Sequence, residues 1–165
     1  TEAPPVVKVG SHSHVGIWVR DMDRSIRWYE EMLGLVLTQR LGVNDIEPAA
    51  PHGIAWLRCS AEHHNLVLIQ LPPEQVAEPV PYGGKGTLQQ LAFEVESVEA
   101  LHAAHAFLAK RGVKILVPPR RQNMSPGWKF YFADPDGYKL EIYSGMKWVE
   151  PGYGRHYGKW PEGVV

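Results

Sequence analysis

Cysteine is nearly absent from this chain. A single one, Cys59, in 165 residues excludes an internal disulfide framework. Its place at the end of the apolar stretch from Ile54 predicts a small core residue, not a reactive thiol. Long hydrophobic runs are missing too: none approaches the ~20 residues of a membrane helix. Residues 1–10 lack the charged-then-apolar order of a secretory signal. Nor does either sign of charge dominate. Lys and Arg number 17 against 18 Asp and Glu, for a net charge of -1, and no basic stripe offers a nucleic-acid surface. The longest basic cluster, Arg120-Arg121 with Lys114 nearby, reads as a solvated loop. These absences predict a cytoplasmic protein that engages neither nucleic acid nor membrane. In contrast, 8 histidines and 6 tryptophans are generous and favour a site with aromatic walls. A hydrophobic content of 44% supports one compact unit, or two small modules sharing a core.

An internal repeat organises the chain. One copy opens at His14-Val15-Gly16-Ile17, the other at Gln90-Leu91-Ala92-Phe93. Each reads as a short strand, a polar turn and an amphipathic helix closed by glycine, Gly34 in one and Gly112 in the other. His14 and Gln90 occupy the same place in the two copies. Helix one is capped by Asp21 or Asp23 and packs through Met22, Ile26, Tyr29 and Leu33; helix two is capped by Ser97 and packs through Val98, Leu101, His105 and Leu108. Strands are expected near 14–19, 35–39, 54–59 and 65–71, then 89–95, 113–117, 129–133 and 138–144. This predicts an α+β chain of two βαβββ modules, at about 12–72 and 87–146. A Pro/Gly-rich linker at about 73–86 joins them, and an aromatic tail at 147–165 lies against its own body or a partner subunit.

Glu141 is the most informative residue. It follows the turn Asp134-Pro135-Asp136-Gly137 and alternates with Leu140 and Ile142. In a half-buried strand it shares a face with Lys139 and Tyr143. A carboxylate there is either solvated or held inside by a strong partner, a metal among them. Neither module alone buries both faces of its sheet. Pairing them predicts a curved sheet with helices outside and His14, Gln90 and Glu141 facing a central cup. That cup is completed within one chain or by exchange between two.

Over residues 12–146 the chain resembles the vicinal oxygen chelate superfamily, which includes glyoxalase I, fosfomycin-resistance proteins, methylmalonyl-CoA epimerase and the type I extradiol dioxygenases. His14, the Asp134–Gly137 turn and Glu141 carry the likeness. Trp56-Leu57-Arg58, the stretch from His63 to Leu68, Phe130-Tyr131-Phe132 and the closing residues 143–146 are similar to the dioxygenase branch, especially its single-repeat relatives. The resemblance implies metal ligands at His14, Gln90 and Glu141. Fe(II) is the expected metal, with Mn, Zn, Ni or Co as alternatives. The dioxygenase pattern is two histidines and one carboxylate around an open face, and the chain departs from it at Gln90. Glyoxalase I relatives use glutamine in an equivalent position, so Gln90 either ligates or hydrogen-bonds in the pocket. Val67 stands where glyoxalase and epimerase branches place a fourth ligand, which counts against those branches.

His64 matches the acid/base histidine of the dioxygenase branch. Tyr131, ten residues before Glu141, matches the tyrosine that holds the substrate oxygen. Alternation from Val67 turns His64 away from the cup unless a loop or bulge intervenes. A further histidine of the larger dioxygenases has no match among Gln122, Asn123 and Ser125. His63 reads as a solvated loop residue. Trp18 and Trp148 either pack or wall the pocket. The leading expectation is ring cleavage of a catechol-like small aromatic by O2, in a homodimer or higher homo-oligomer. A metal-dependent lyase or isomerase of glyoxalase or epimerase type is the alternative. A non-catalytic small-aromatic binding protein is the second.

Overall fold

A computed structural model describes residues 12–43, 50–76, 88–121 and 127–146. Most of the expected linker, Gln122, Asn123, Ser125 and the aromatic tail with Trp148 lie outside the described residues. The chain divides into two compact units, Thr1–Glu78 and Pro79–Val165.

The first unit runs β1 (Val15–Val19), α1 (Met22–Leu33), β2 (Val36–Leu41), β3 (Ile54–Arg58) and β4 (Leu66–Gln70). Its sheet has the order β1-β4-β3-β2. The β1–β4 pair is parallel, and the others are antiparallel. The second unit repeats the plan with β5 (Leu91–Glu94), α2 (Val98–Lys110), β6 (Ile115–Arg121), β7 (Trp128–Ala133) and β8 (Lys139–Ser144). Its order is β5-β8-β7-β6, again with first and last strands parallel. The α+β class and the two βαβββ modules are as the repeat predicts.

Local chemistry sets the element ends. Asp21 Oδ1 accepts the amide of Arg24 at 2.9 Å, and Ser97 Oγ accepts that of Ala100 at 3.0 Å. Each N-cap is worth about 1 kcal/mol. Gly34 and Gly112 close their helices at φ of 67° and 75°, in the left-handed region that glycine enters without a Cβ penalty. Gln70, at the end of β4, accepts the amide of Met22 at 2.8 Å and donates to Arg20 O at 2.9 Å. The last strand of the unit thereby holds the first turn of its helix.

Each sheet buries one face against its helix. In the first unit Ile17, Val19, Leu57, Leu66 and Leu68 are buried with Ile26 and Tyr29. Leu33 is only half-buried, and Ser25 joins the buried stripe in its place. In the second unit Phe130, Phe132, Leu140 and Ile142 are buried with Leu101 and Leu108. Each such large side chain contributes about 1.5–3 kcal/mol by leaving water. Val98 and His105 are half-buried, the imidazole resting edge-on against Phe130 at 5.4 Å between ring centres.

Two expectations are corrected. Cys59 is exposed, because β3 ends at Arg58 and the cysteine falls in the following turn. There its amide donates to Asn65 Oδ1 at 2.9 Å. The expected loop at 118–121 is strand: β6 runs through Pro118-Pro119 to Arg121. Proline is tolerated because β6 is an edge strand. The pairing also shifts between Val117–Tyr131 and Arg120–Lys129, a bulge that takes up the proline residues.

The turn into β8 is locked by one buried side chain. Asp134 Oδ1 accepts the amides of Asp136 at 2.9 Å and Tyr138 at 2.8 Å. Asp134→Ala leaves both amides without that acceptor, and each buried unsatisfied group costs about 1–3 kcal/mol. Chemical denaturation should show a loss of roughly 2–4 kcal/mol for Asp134→Ala and a smaller loss for Asp134→Asn, which keeps an oxygen acceptor. Equal losses would contradict this account of the turn.

Candidate functional site

The site in the second unit is built by strand alternation. With Phe130, Phe132, Leu140 and Ile142 turned to α2, the residues out of phase with them share the other face of the sheet. On β7 these are Lys129 and Tyr131; on β8 they are Lys139, Glu141 and Tyr143. Tyr131 and Glu141 are direct cross-strand partners, and Ala92 of β5 pairs Glu141 from the other side. Gln90, two residues before Ala92, reaches the carboxylate: its Nε2 donates to Glu141 Oε2 at 2.6 Å. Lys129 Nζ stands 4.0 Å from the other oxygen, Oε1.

Glu141 is 3% exposed and Lys129 likewise 3%. A bare carboxylate there would cost several kcal/mol. The amide and the ammonium offset that cost. These groups line a cavity of about 550 Å³ together with Tyr131, Lys139 and Arg120. Lys139 Nζ lies 4.7 Å over the Tyr131 ring, a cation–π contact. Burial, reinforced by Glu94 and Glu141, raises the Tyr143 pKa, so its phenol stays protonated.

The first unit repeats the backbone with other chemistry. Gly16 pairs Val67 as Ala92 pairs Glu141, and Trp56 pairs Val67 as Tyr131 pairs Glu141. Val67 therefore occupies the place of the carboxylate, the position the resemblance assigns to a fourth ligand in the glyoxalase and epimerase branches. His14 precedes β1 by one residue, as Gln90 precedes β5. His64 lies in the loop ahead of β4, so strand alternation does not govern it. Its ring sits 4.4 Å from that of His14. The Nδ1 atoms of His63 and His64 are 2.9 Å apart, so one imidazole donates to the other. Burial, then the neighbouring His14 and His63, lower the His64 pKa below the ordinary histidine range. Ser13 Oγ engages His14 Nδ1 at 3.2 Å, which leaves Nε2 as the nitrogen a metal would take.

Of the five sequence-predicted site residues, Gln90, Glu141 and Tyr131 come together in the second unit. His14 and His64 come together in the first. No three His, Cys, Asp or Glu side chains among the described residues form a metal-binding group. The expected donor set is thus one carboxylate, one amide and one imidazole, not a cluster of acids or histidines. Glu141 and Gln90 fit a divalent cation chemically, since a carboxylate and an amide oxygen are both hard donors. Sequence reasoning missed Lys129 and Arg120. Lys129 is in phase with Tyr131, which was the available signal; Arg120 was hidden by the two prolines before it.

Comparison with known proteins agrees with this architecture. The chain is 30% identical over 135 residues to the glutathione transferase FosA of Serratia marcescens, covering 82% of this chain and 81% of that protein. It is 26% identical over 140 residues to the metallothiol transferase FosB of Shouchella clausii, covering 83% and 82%. Among solved structures, a glyoxylase/bleomycin resistance protein/dioxygenase domain from Frankia sp. EAN1pec matches with a TM-score of 0.69 and 28% identity, covering 84% of this chain and all of that one. Residues 11–142 match the family model of the Glyoxalase/Bleomycin resistance protein/Dioxygenase superfamily, and the chain belongs to that superfamily.

Proposed function

We propose that the chain is a metal-dependent enzyme that cleaves the ring of a catechol-like small aromatic with O2. The observation that carries this reading is the pairing of Tyr131 with Glu141 beside Gln90 in one cavity. A phenol donor stands next to a buried carboxylate, where a substrate oxygen near a cation would need it. The proposed ligands are Glu141, Gln90 and His14. Ferrous iron, when bound, supplies Lewis acidity to a phenol and electrons to O2.

The chain's own residues hold and move protons. His64, kept neutral by its surroundings, accepts the proton of a substrate hydroxyl. Tyr131 donates a hydrogen bond to the substrate oxygen. Lys129 holds the Glu141 carboxylate in place. Both oxygen atoms of O2 enter the ring-opened product.

A second reading has its own support. Gln90 stands where the dioxygenase pattern has an imidazole, and two curated relatives are named as transferases. It makes the same cavity the seat of a metal-assisted transfer, lyase or isomerase reaction that consumes no O2. Oxygen dependence separates the two.

Three outcomes are expected. Metal analysis after anaerobic Fe(II) loading should give one equivalent, with affinity lowered on the order of 100-fold in Glu141→Ala and about 10-fold in Gln90→Ala; unchanged stoichiometry and affinity in both would refute the ligand set. In an oxygen electrode with a catechol panel, the loaded protein should consume O2 and yield a yellow product. Tyr131→Phe should cut kcat/KM about 10²–10³-fold, whereas activity that persists without O2 would favour the second reading. The acid limb of kcat/KM should lie below the ordinary histidine value of about 6.5. Activity falls as pH drops because protonated His64 no longer accepts a proton, and His64→Ala should abolish that limb along with most of the rate.

A further inference from the structure

We infer that His63 is a positioning residue for His64: its ring accepts the Nδ1–H of His64, which leaves His64 Nε2 bare to face a substrate hydroxyl. This rests on the reading of His64 as the group that accepts the substrate proton, and on three observations.

The first is the contact itself. Nδ1 of His63 and Nδ1 of His64 are 2.9 Å apart. The two rings stand at 90°, with centres 5.1 Å apart. That separation is close to the nitrogen–nitrogen distance lengthened by the short radius of each ring. Both nitrogens therefore lie near the line between the centres, and an N–H on one points at the lone pair of the other. The rings are hydrogen-bonded, not stacked.

The second is what a neutral imidazole can offer. It carries one N–H and one bare nitrogen, and the bond made by one nitrogen decides the state of the other. Were His63 the donor, His64 would hold its proton on Nε2 and present a donor where a base is needed. With His64 as donor, Nε2 is bare. His63 is exposed and His64 half-buried, so water serves the remaining N–H of His63. The ring of His14, 4.4 Å from that of His64, places this nitrogen chemistry beside a proposed ligand.

The third is the loop that carries the pair, with Asn65 as its hub. Asn65 Oδ1 accepts the Cys59 amide at 2.9 Å and the Ser60 hydroxyl at 3.1 Å, and Nδ2 donates to Glu62 Oε2 at 2.8 Å. His63 and His64 are the two residues spanned by that Glu62–Asn65 bond. Asn65 also ties the loop to the sheet. Its amide donates to Leu57 O at 2.9 Å, and its carbonyl accepts the amide of Val15, next to His14, at 3.2 Å. A pair fastened on both sides keeps its relative orientation, which a site residue needs from its support.

NMR of the histidine nitrogens in the isotope-labelled, metal-free full chain reads the tautomer without turnover, at about pH 8 where imidazoles are neutral. His64 should show a protonated Nδ1 and a bare Nε2. In His63→Leu it should shift towards the Nε2–H form. His63→Asn, which sets an oxygen acceptor near the place of Nδ1, should restore the Nδ1–H form. His63 is exposed, so melting curves should match the native chain and establish that both variants fold. In the Fe(II)-loaded protein His63→Leu should lower kcat on a catechol about ten-fold with KM little changed, and His63→Asn should recover most of it. An Nε2–H tautomer in the native chain, or a His64 tautomer indifferent to His63→Leu, overturns the inference even if O2 is consumed. The expected tautomers in a protein that consumes no O2 with any catechol would instead retire the ring-cleavage reading and leave the orienting bond standing.

Discussion

A carboxylate buried in the middle of a sheet is the constraint around which the second unit is arranged. Glu141 sits between Leu140 and Ile142 with almost no exposure, and an unpartnered charge there is not tolerated. Its partners arrive by different routes. Lys129 comes from the antiparallel neighbour β7, two residues from the position directly opposite. Gln90 comes from the far end of the unit's sequence, through the parallel pairing of β5 with β8. The topology that joins first and last strands is therefore also what satisfies the charge. The Asp134 turn matters for the same reason, since it fixes the register in which β8 presents Glu141.

The two units show how far chemistry can diverge on one backbone plan. Equivalent register positions hold Val67 and Glu141, Trp56 and Tyr131, Gly16 and Ala92. The first unit keeps imidazoles at the head of its sheet; the second keeps a carboxylate, an amide and a phenol. Fold similarity to superfamily members therefore says where a site would be built, while the side chains decide what it does. This separation explains how transferases and dioxygenases come under one superfamily description.

Much of this was legible from residue order. Period-two alternation placed Glu141 on the face opposite Leu140 and Ile142, and the repeat aligned Gln90 with His14; both hold in the folded chain. Capping chemistry located Ser97, and it narrowed the first helix to two aspartates, of which Asp21 is the cap. The failures have physical causes. Cys59 looked apolar by neighbourhood, but a strand that stops one residue earlier leaves it in a turn. Pro118-Pro119 argues for a loop around Arg120, and a sequence does not announce that an edge strand with a bulge can absorb them. His64 defied alternation because it lies outside any strand. Side-chain reach across strands, as between Lys129 and Glu141, is a tertiary fact that residue order only permits.

The prolines of β6 have a consequence for assembly. Successive residues of a strand point their amides to opposite sides, so two adjacent prolines strip a donor from the inward side and another from the outward side. The bulge accommodates the first loss. The second leaves the outer rim of that sheet poorly suited to recruit a foreign β-segment. The margin beside Arg120 is thereby guarded against fibril-like stacking.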